Sequence, residues 1–184
     1  MTSTVDNSYN FICKLSNIPR FQGCHLLAPY SVAEHTLRVI YLVSRMLDET
    51  DYTQEEKSRL TRVAMMHDFE ESMTGDIPSL YKDQLDISSY RVLKMIQKET
   101  GIPNDYIVNH LCKNENIIEI ADKLECFITT SYELERGNIS MKRSFNNLKE
   151  YLKTLIIDKD GPFLYIRTLY YKAIKDVEGI NELV

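Results

Sequence analysis

Two segments of this chain, Ser31-Val32-Ala33-Glu34 and Thr53-Gln54-Glu55-Glu56, have the form of a capping box, and apolar residues recurring at three and four follow each one. In such a box the hydroxyl accepts from the third helical amide while the glutamate reaches back, so both signals open a helix. The first predicts a helix with Val32, Thr36, Val39, Ile40, Val43, Met46 and Leu47 on one stripe and His35 in its first turn. The second predicts a helix through Leu60, Val63, Ala64 and His67, ending near Thr74-Gly75, with His67-Asp68 in its last third. Only 6 glycines and 5 prolines interrupt the 184 residues, and no convincing strand alternation occurs. Further helices are expected at about 88–100, 103–112, 115–136, 140–157 and 162–178, broken at Gly101-Ile102-Pro103, Gly137-Asn138 and Asp160-Gly161-Pro162. The expected fold is an all-α helical bundle, with residues 1–184 forming a single domain.

A net charge of -5 argues against a partner such as a nucleic-acid polymer, whose binders carry a basic face. Local cations could still grip a small anionic substrate. Cys13, Cys24, Cys112 and Cys126 show no C-x-x-C spacing, and no signal-like or membrane-length apolar run is present. A cytoplasmic protein with no membrane partner is expected, its thiols reduced and packed as small core hydrophobes.

The chemistry concentrates at His67-Asp68, inside the run Val63-Ala64-Met65-Met66. An imidazole beside a carboxylate at the edge of an apolar helix is costly to bury unless something binds both. His35 and Asp122 share that apolar setting, the latter within Ile117-Ile118-Glu119-Ile120-Ala121-Asp122. Alone, His67-Asp68 would be read as a capped, solvated turn and Asp122 as a surface ion pair with Lys123. Together the two imidazoles and two carboxylates form a mixed N/O set suited to a divalent metal. On a helix Glu71 shares the face of His67 and Asp68, whereas Glu70 points elsewhere. A carboxylate so placed can orient or deprotonate water, or protonate a leaving oxygen. Arg20 and Lys82 are the candidate phosphate-neutralising cations, and Asp76-Ile77-Pro78-Ser79-Leu80-Tyr81-Lys82 is a candidate binding loop. His25 and His110 lack such company and read as structural or surface residues.

His35, His67-Asp68 and Asp122 resemble the H…HD…D pattern of the HD-domain metal phosphohydrolases. Ser31-Val32-Ala33-Glu34-His35-Thr36-Leu37 is similar to the N-V-S-E-H-S-L segment of the YfbR-type 5'-deoxynucleotidases. His67 through Pro78 resembles their H-D-x-x-E-x-x-T-G-D-x-P stretch, and Ala121-Asp122-Lys123-Leu124 their A-D-x-L. The resemblance implies one divalent metal (Zn, Co, Mn or Mg) on His35, His67, Asp68 and Asp122, with Glu71 and Asp76 catalytic. It also implies substrate contacts from Arg20, Phe21, Gln22, Pro78 and Lys82, the arginine on phosphate and the aromatic crowding the 2' position of the sugar. Phage dATP triphosphohydrolases of the DatZ type share this architecture. The expected reaction is release of triphosphate from a dNTP, with dATP favoured, on the modest grounds of chain length and a phage-like richness in Asn, Ile, Lys and Tyr. A 5'-deoxynucleotidase acting on dNMP is the alternative. Relatives imply a homo-oligomer, dimer or hexamer. A metal-free nucleotide-sensing module would be expected to lose a ligand or Glu71, and none is lost.

Overall fold

A computed structural model describes residues 8–78, 89–100, 115–157 and 163–181 of the chain. The helices are α1 (Ser8–Leu15), α2 (Val32–Asp48), α3 (Gln54–Met66), the short α4 (Glu71–Thr74), α5 (Ser89–Thr100), α6 (Glu115–Glu135), α7 (Lys142–Leu152) and α8 (Leu164–Asn181). A 3-10 turn, Ile139–Met141, precedes α7, and a π-type turn, Lys153–Ile157, follows it. Among the described residues no strand occurs; one isolated bridge pairs Pro19 with Ser31. The expected helix at 103–112, the breaks at 101–103 and 160–162, and Lys82, His110 and Cys112 lie outside the described residues.

Both capping boxes form. Ser31 Oγ accepts from Glu34 N while Glu34 Oε2 accepts from Ser31 N at 2.8 Å, and Thr53 and Glu56 repeat the exchange. Each cap is worth about 0.5–2 kcal/mol. A third helix start is capped at long range, because Glu49 accepts from the backbone of Leu164 and Tyr165 at the head of α8. That contact ties the end of α2 to the last helix.

Helix α6 is the central element, packed against α2, α7 and α8, while α3 lies along α2. The main core includes Val39, Val43 and Met46 of α2 and Leu124 and Phe127 of α6, with Phe127 stacked on Phe145 and Tyr170 at 4.7 and 5.4 Å. A second cluster joins Phe11, Leu15, Val32, Met66, Phe69 and Ile96. The segment from Ala64 to Phe69 bridges the two, since Ala64 belongs to the first cluster and Met66 and Phe69 to the second.

That bridging ends α3 earlier than periodicity predicts. The helix stops at Met66, and 67–70 form a turn tightened by Phe69 N→Met66 O (3.1 Å) and Glu71 N→Asp68 O (3.0 Å). His67 Nδ1 donates to Ala64 O at 2.7 Å, competing with the backbone amide for that carbonyl, while Phe69 swings into the second cluster against Phe11. So His67-Asp68 caps a helix rather than sitting inside one. The same tightening leaves Glu70 buried, though it does not line the site cavity.

Candidate active site

Helices α2, α3 and α6 bring the four expected ligands together. His35 Nε2 lies 3.2 Å from His67 Nε2, 3.3 Å from Asp68 Oδ2 and 3.1 Å from Asp122 Oδ1, and His67 Nε2 lies 3.2 Å from Asp68 Oδ2. Each imidazole's other nitrogen is spoken for: His35 Nδ1 meets Glu125 Oε2 at 2.7 Å and His67 Nδ1 meets Ala64 O at 2.7 Å. An ionised carboxylate and a carbonyl only accept, so both Nδ1 atoms carry hydrogen. In neutral rings both Nε2 lone pairs then face one another and the two aspartates.

Acceptors so close repel unless a cation or protons lie among them. Donor bonds of about 2.0–2.1 Å to a tetrahedral ion put neighbouring donors roughly 3.3 Å apart, which is the spacing found. Asp68 Oδ2 is buried without a hydrogen-bond donor, although charged groups stand near it. The donor set therefore fits a divalent ion. Without one, protons take its part: burial opposes charge on His35, but hydrogen bonds to Asp122, Asp68 and Glu125 raise its pKa well above the ordinary value. His67 is likewise raised, burial being outweighed by Asp68. Burial would lift Asp122, yet His35 and Lys123 hold it below the usual carboxylate range.

Arg20 closes one side. Its Nη1 donates to Asp76 Oδ1 at 2.7 Å and to Glu71 at 3.2 and 3.3 Å, while Nη2 faces Asp122 Oδ1 at 3.5 Å. Burial works against its charge, but Asp68, Glu71 and Asp76 raise its pKa above an already high value. The arm carrying it, residues 18–32, is pinned by Arg20 N→Tyr30 O and Val32 N→Ile18 O. Phe21 turns in the left-handed region at φ 61°, rare for a bulky residue. Gln22 N donates to Asp76 Oδ2, and Gly75, at φ 75°, leaves room where a Cβ would stand 3.4 Å from Gln22 Nε2.

A cavity of about 490 Å³ opens above these residues, within the range usual for small-molecule sites. It is lined by Arg20, Phe21, Gln22 and Pro78, by the carboxylates Asp68, Glu71, Asp76 and Asp122, and by Lys123, Ser144, Asn147 and Leu148. Glu71, Asp76, Asp68, Asp122 and the described substrate candidates thus share one space, while His35 and His67 are buried and meet it through the two aspartates.

Residues 7–165 match the family model of the YfbR-like 5'-deoxynucleotidases. The chain belongs to that family. As a YfbR-like protein it is a hydrolase, a metal-dependent HD-domain phosphohydrolase of deoxynucleotides. A 5'-deoxynucleotidase of Pasteurella multocida (strain Pm70) is 23% identical over 178 residues, 86% of this chain and 91% of the relative. Among solved structures, a conserved hypothetical protein from Pyrococcus furiosus superposes with a TM-score of 0.68 at 21% identity, covering 92% of this chain and 98% of that one. The HD phosphohydrolase DatZ of cyanophage S-2L, bound to dA and one catalytic Zn2+ ion, gives 0.64 at 18% identity over 92% and 96%. These likenesses support the helical HD-domain fold.

Several features of this YfbR-like site escape a reading of the sequence. Glu125, behind His35, carried one available signal: it lies one helical turn after Asp122. Lys123, 2.9 Å from Asp122 Oδ2, lines the cavity rather than open surface. Ser144 and Asn147 enter only because α7 packs on α6, and no local pattern marks them. The cysteines are a correction: Cys13 and Cys24 are exposed, and Cys126 is half-buried in the cavity wall. Burial and the nearby Asp122 push the Cys126 thiol up to about 12, keeping it protonated and unreactive. No helix among the described residues is long and apolar enough to cross a membrane.

Proposed function

We propose that the chain hydrolyses the 5' phosphoester of a deoxynucleoside 5'-phosphate, with the monophosphate as the leading substrate and His35, His67, Asp68 and Asp122 holding one divalent ion. The observation that carries this reading is the convergence of those four donors, with His35 Nε2 3.1–3.3 Å from each of the other three, where Asp68 and Asp122 line a nucleotide-sized cavity. The Zn2+ bound by the cyanophage enzyme supports zinc as the first ion to try. A bound divalent ion would supply Lewis-acid polarisation of a phosphoryl oxygen and an acidified water.

The chain's own groups do the rest. Arg20 binds phosphate oxygens through its planar fork, with Asp76 holding the guanidinium and the backbone of Gln22. Asp76 therefore acts by orienting Arg20 rather than by exchanging a proton itself. Glu71, buried and within 3.3 Å of Arg20, takes a proton from the attacking water or hands one to the leaving 5' oxygen. Phe21 and Pro78 bracket sugar and base. A ribose 2' hydroxyl pressed against Phe21 would lose its water without gaining a partner, which disfavours ribonucleotides.

Phosphate chain length turns on charge. The cavity wall holds four carboxylates against Arg20 and Lys123, so one divalent ion brings it to neutrality. A monophosphate dianion is tolerable there, whereas a triphosphate needs further cations. The dNTP triphosphohydrolase reading, favoured by the sequence, depends on Lys82 supplying that charge and stands second; the matched family and the bacterial relative support the monophosphate. Incubating zinc-loaded protein with each dNMP, dNTP and NTP and separating the products by ion chromatography tests both readings. Phosphate from dNMP is the expected result. Intact triphosphate from dATP would move the assignment to the second reading, and no turnover of either would overturn both.

The proposal extends to a cytoplasmic, self-associating enzyme, dimer or hexamer, for which exposed Leu37, Tyr41, Tyr132 and Tyr171 offer apolar surface. Light scattering showing only 21.5 kDa at micromolar concentration would count against association.

A further inference from the structure

Glu125 is 2% exposed and lies one turn beyond Asp122 on α6, outside the lining of the cavity. Its two oxygens divide their work. Oε1 accepts from Tyr30 Oη at 2.5 Å, Thr129 Oγ1 at 2.8 Å and Arg38 Nη1 at 3.4 Å, whereas Oε2 meets His35 Nδ1 at 2.7 Å. Three donors from three segments fix the plane of the carboxylate, and the remaining oxygen is aimed at one imidazole. Tyr30 has a second role, since its carbonyl accepts Arg20 N at 2.7 Å and closes the arm that carries Arg20.

We infer that Glu125 is a positioning residue: it fixes the His35 tautomer and ring so that Nε2 presents its lone pair to the ion, and through Tyr30 it fastens the Arg20 arm to the same carboxylate. Ligand histidines are generally held in this way by a carboxylate or carbonyl on the other ring nitrogen. What the structure adds is the branch to Tyr30, which makes ion binding and phosphate binding share one support. The inference rests on the metal reading proposed above.

The experiment is zinc competition against a chromogenic chelator with the full chain, alongside steady-state kinetics on a dNMP and melting of the metal-free protein. Glu125→Gln should weaken zinc binding by about tenfold and Glu125→Ala by up to about a hundredfold. Tyr30→Phe should hold zinc within a fewfold while raising KM more than it lowers kcat. If Glu125→Ala does not fold, the near-isosteric Glu125→Gln decides. Wild-type zinc affinity in the Glu125 variants, with His35→Ala having lost it, overturns the positioning role and leaves the metal reading standing. Wild-type affinity in His35→Ala overturns the metal reading itself. Unchanged KM and kcat in Tyr30→Phe overturn the link to the Arg20 arm.

Discussion

His35 and His67 present the same atom to the same donor set, but they are held in opposite ways. His35 sits in the first turn of a regular helix, and its Nδ1 reaches a carboxylate 90 residues along the chain. His67 sits where a helix unwinds, and its Nδ1 reaches a carbonyl only three residues back. One orientation depends on two helices being packed together; the other is made within a single turn. The packed orientation can be tuned by side-chain substitution, whereas the local one belongs to the backbone and to the apolar clusters that bend it.

The largest effect should come from removing either imidazole. His35→Ala and His67→Ala should each lose zinc by far more than the roughly ten- to hundredfold typical of supporting residues, and turnover with it. Chelator competition checks this, and near-normal affinity in one of them would break the symmetry of the pair. Glu71→Gln should cost roughly a hundredfold or more in kcat with zinc retained, because proton transfer is removed while the donor set is untouched. Retained kcat would remove Glu71 from the chemistry.

Metal removal sharpens the comparison through pH. In the metal-free protein both histidines are raised above their unfolded values by the surrounding carboxylates, despite burial. A raised group contributes stability that is fully present below about pH 6.5 and is lost as pH rises through its folded value. Chelated protein should therefore lose thermal stability as pH climbs above neutrality, while zinc-loaded protein should not. Zinc binding should release protons and weaken as pH falls. Parallel pH dependence of melting with and without zinc would contradict this.

The smallest effects should separate the two capping boxes. Ser31→Ala and Thr53→Ala should each lower stability by about 0.5–2 kcal/mol. Only Ser31→Ala should also loosen zinc, since His35 lies one turn from that cap whereas His67 lies at the far end of α3. Denaturant melts paired with zinc titrations distinguish them; equal zinc affinity in both variants would confine the caps to folding.

Much of this was readable in the residues. Capping boxes, stripes at three and four, and scarce glycine and proline are local rules, acting within one or two turns, and they marked the described helices from α2 onward, with α3 and α4 read as one; α1 was not among the expected helices. The candidate ligands were readable as a group too, because His67-Asp68, His35 and Asp122 each stand among apolar neighbours, and the structure brings the four together. Packing decided what no local rule contains. Phe69 and Met66 had to reach a second apolar cluster, and that stopped α3 just before His67-Asp68 and buried Glu70. Glu125 found His35, and α7 supplied Ser144 and Asn147 to the cavity, through contacts between helices far apart in the chain. Which atoms meet across such distances follows from how whole helices fit together, and that fit is a property of the assembled core rather than of any segment.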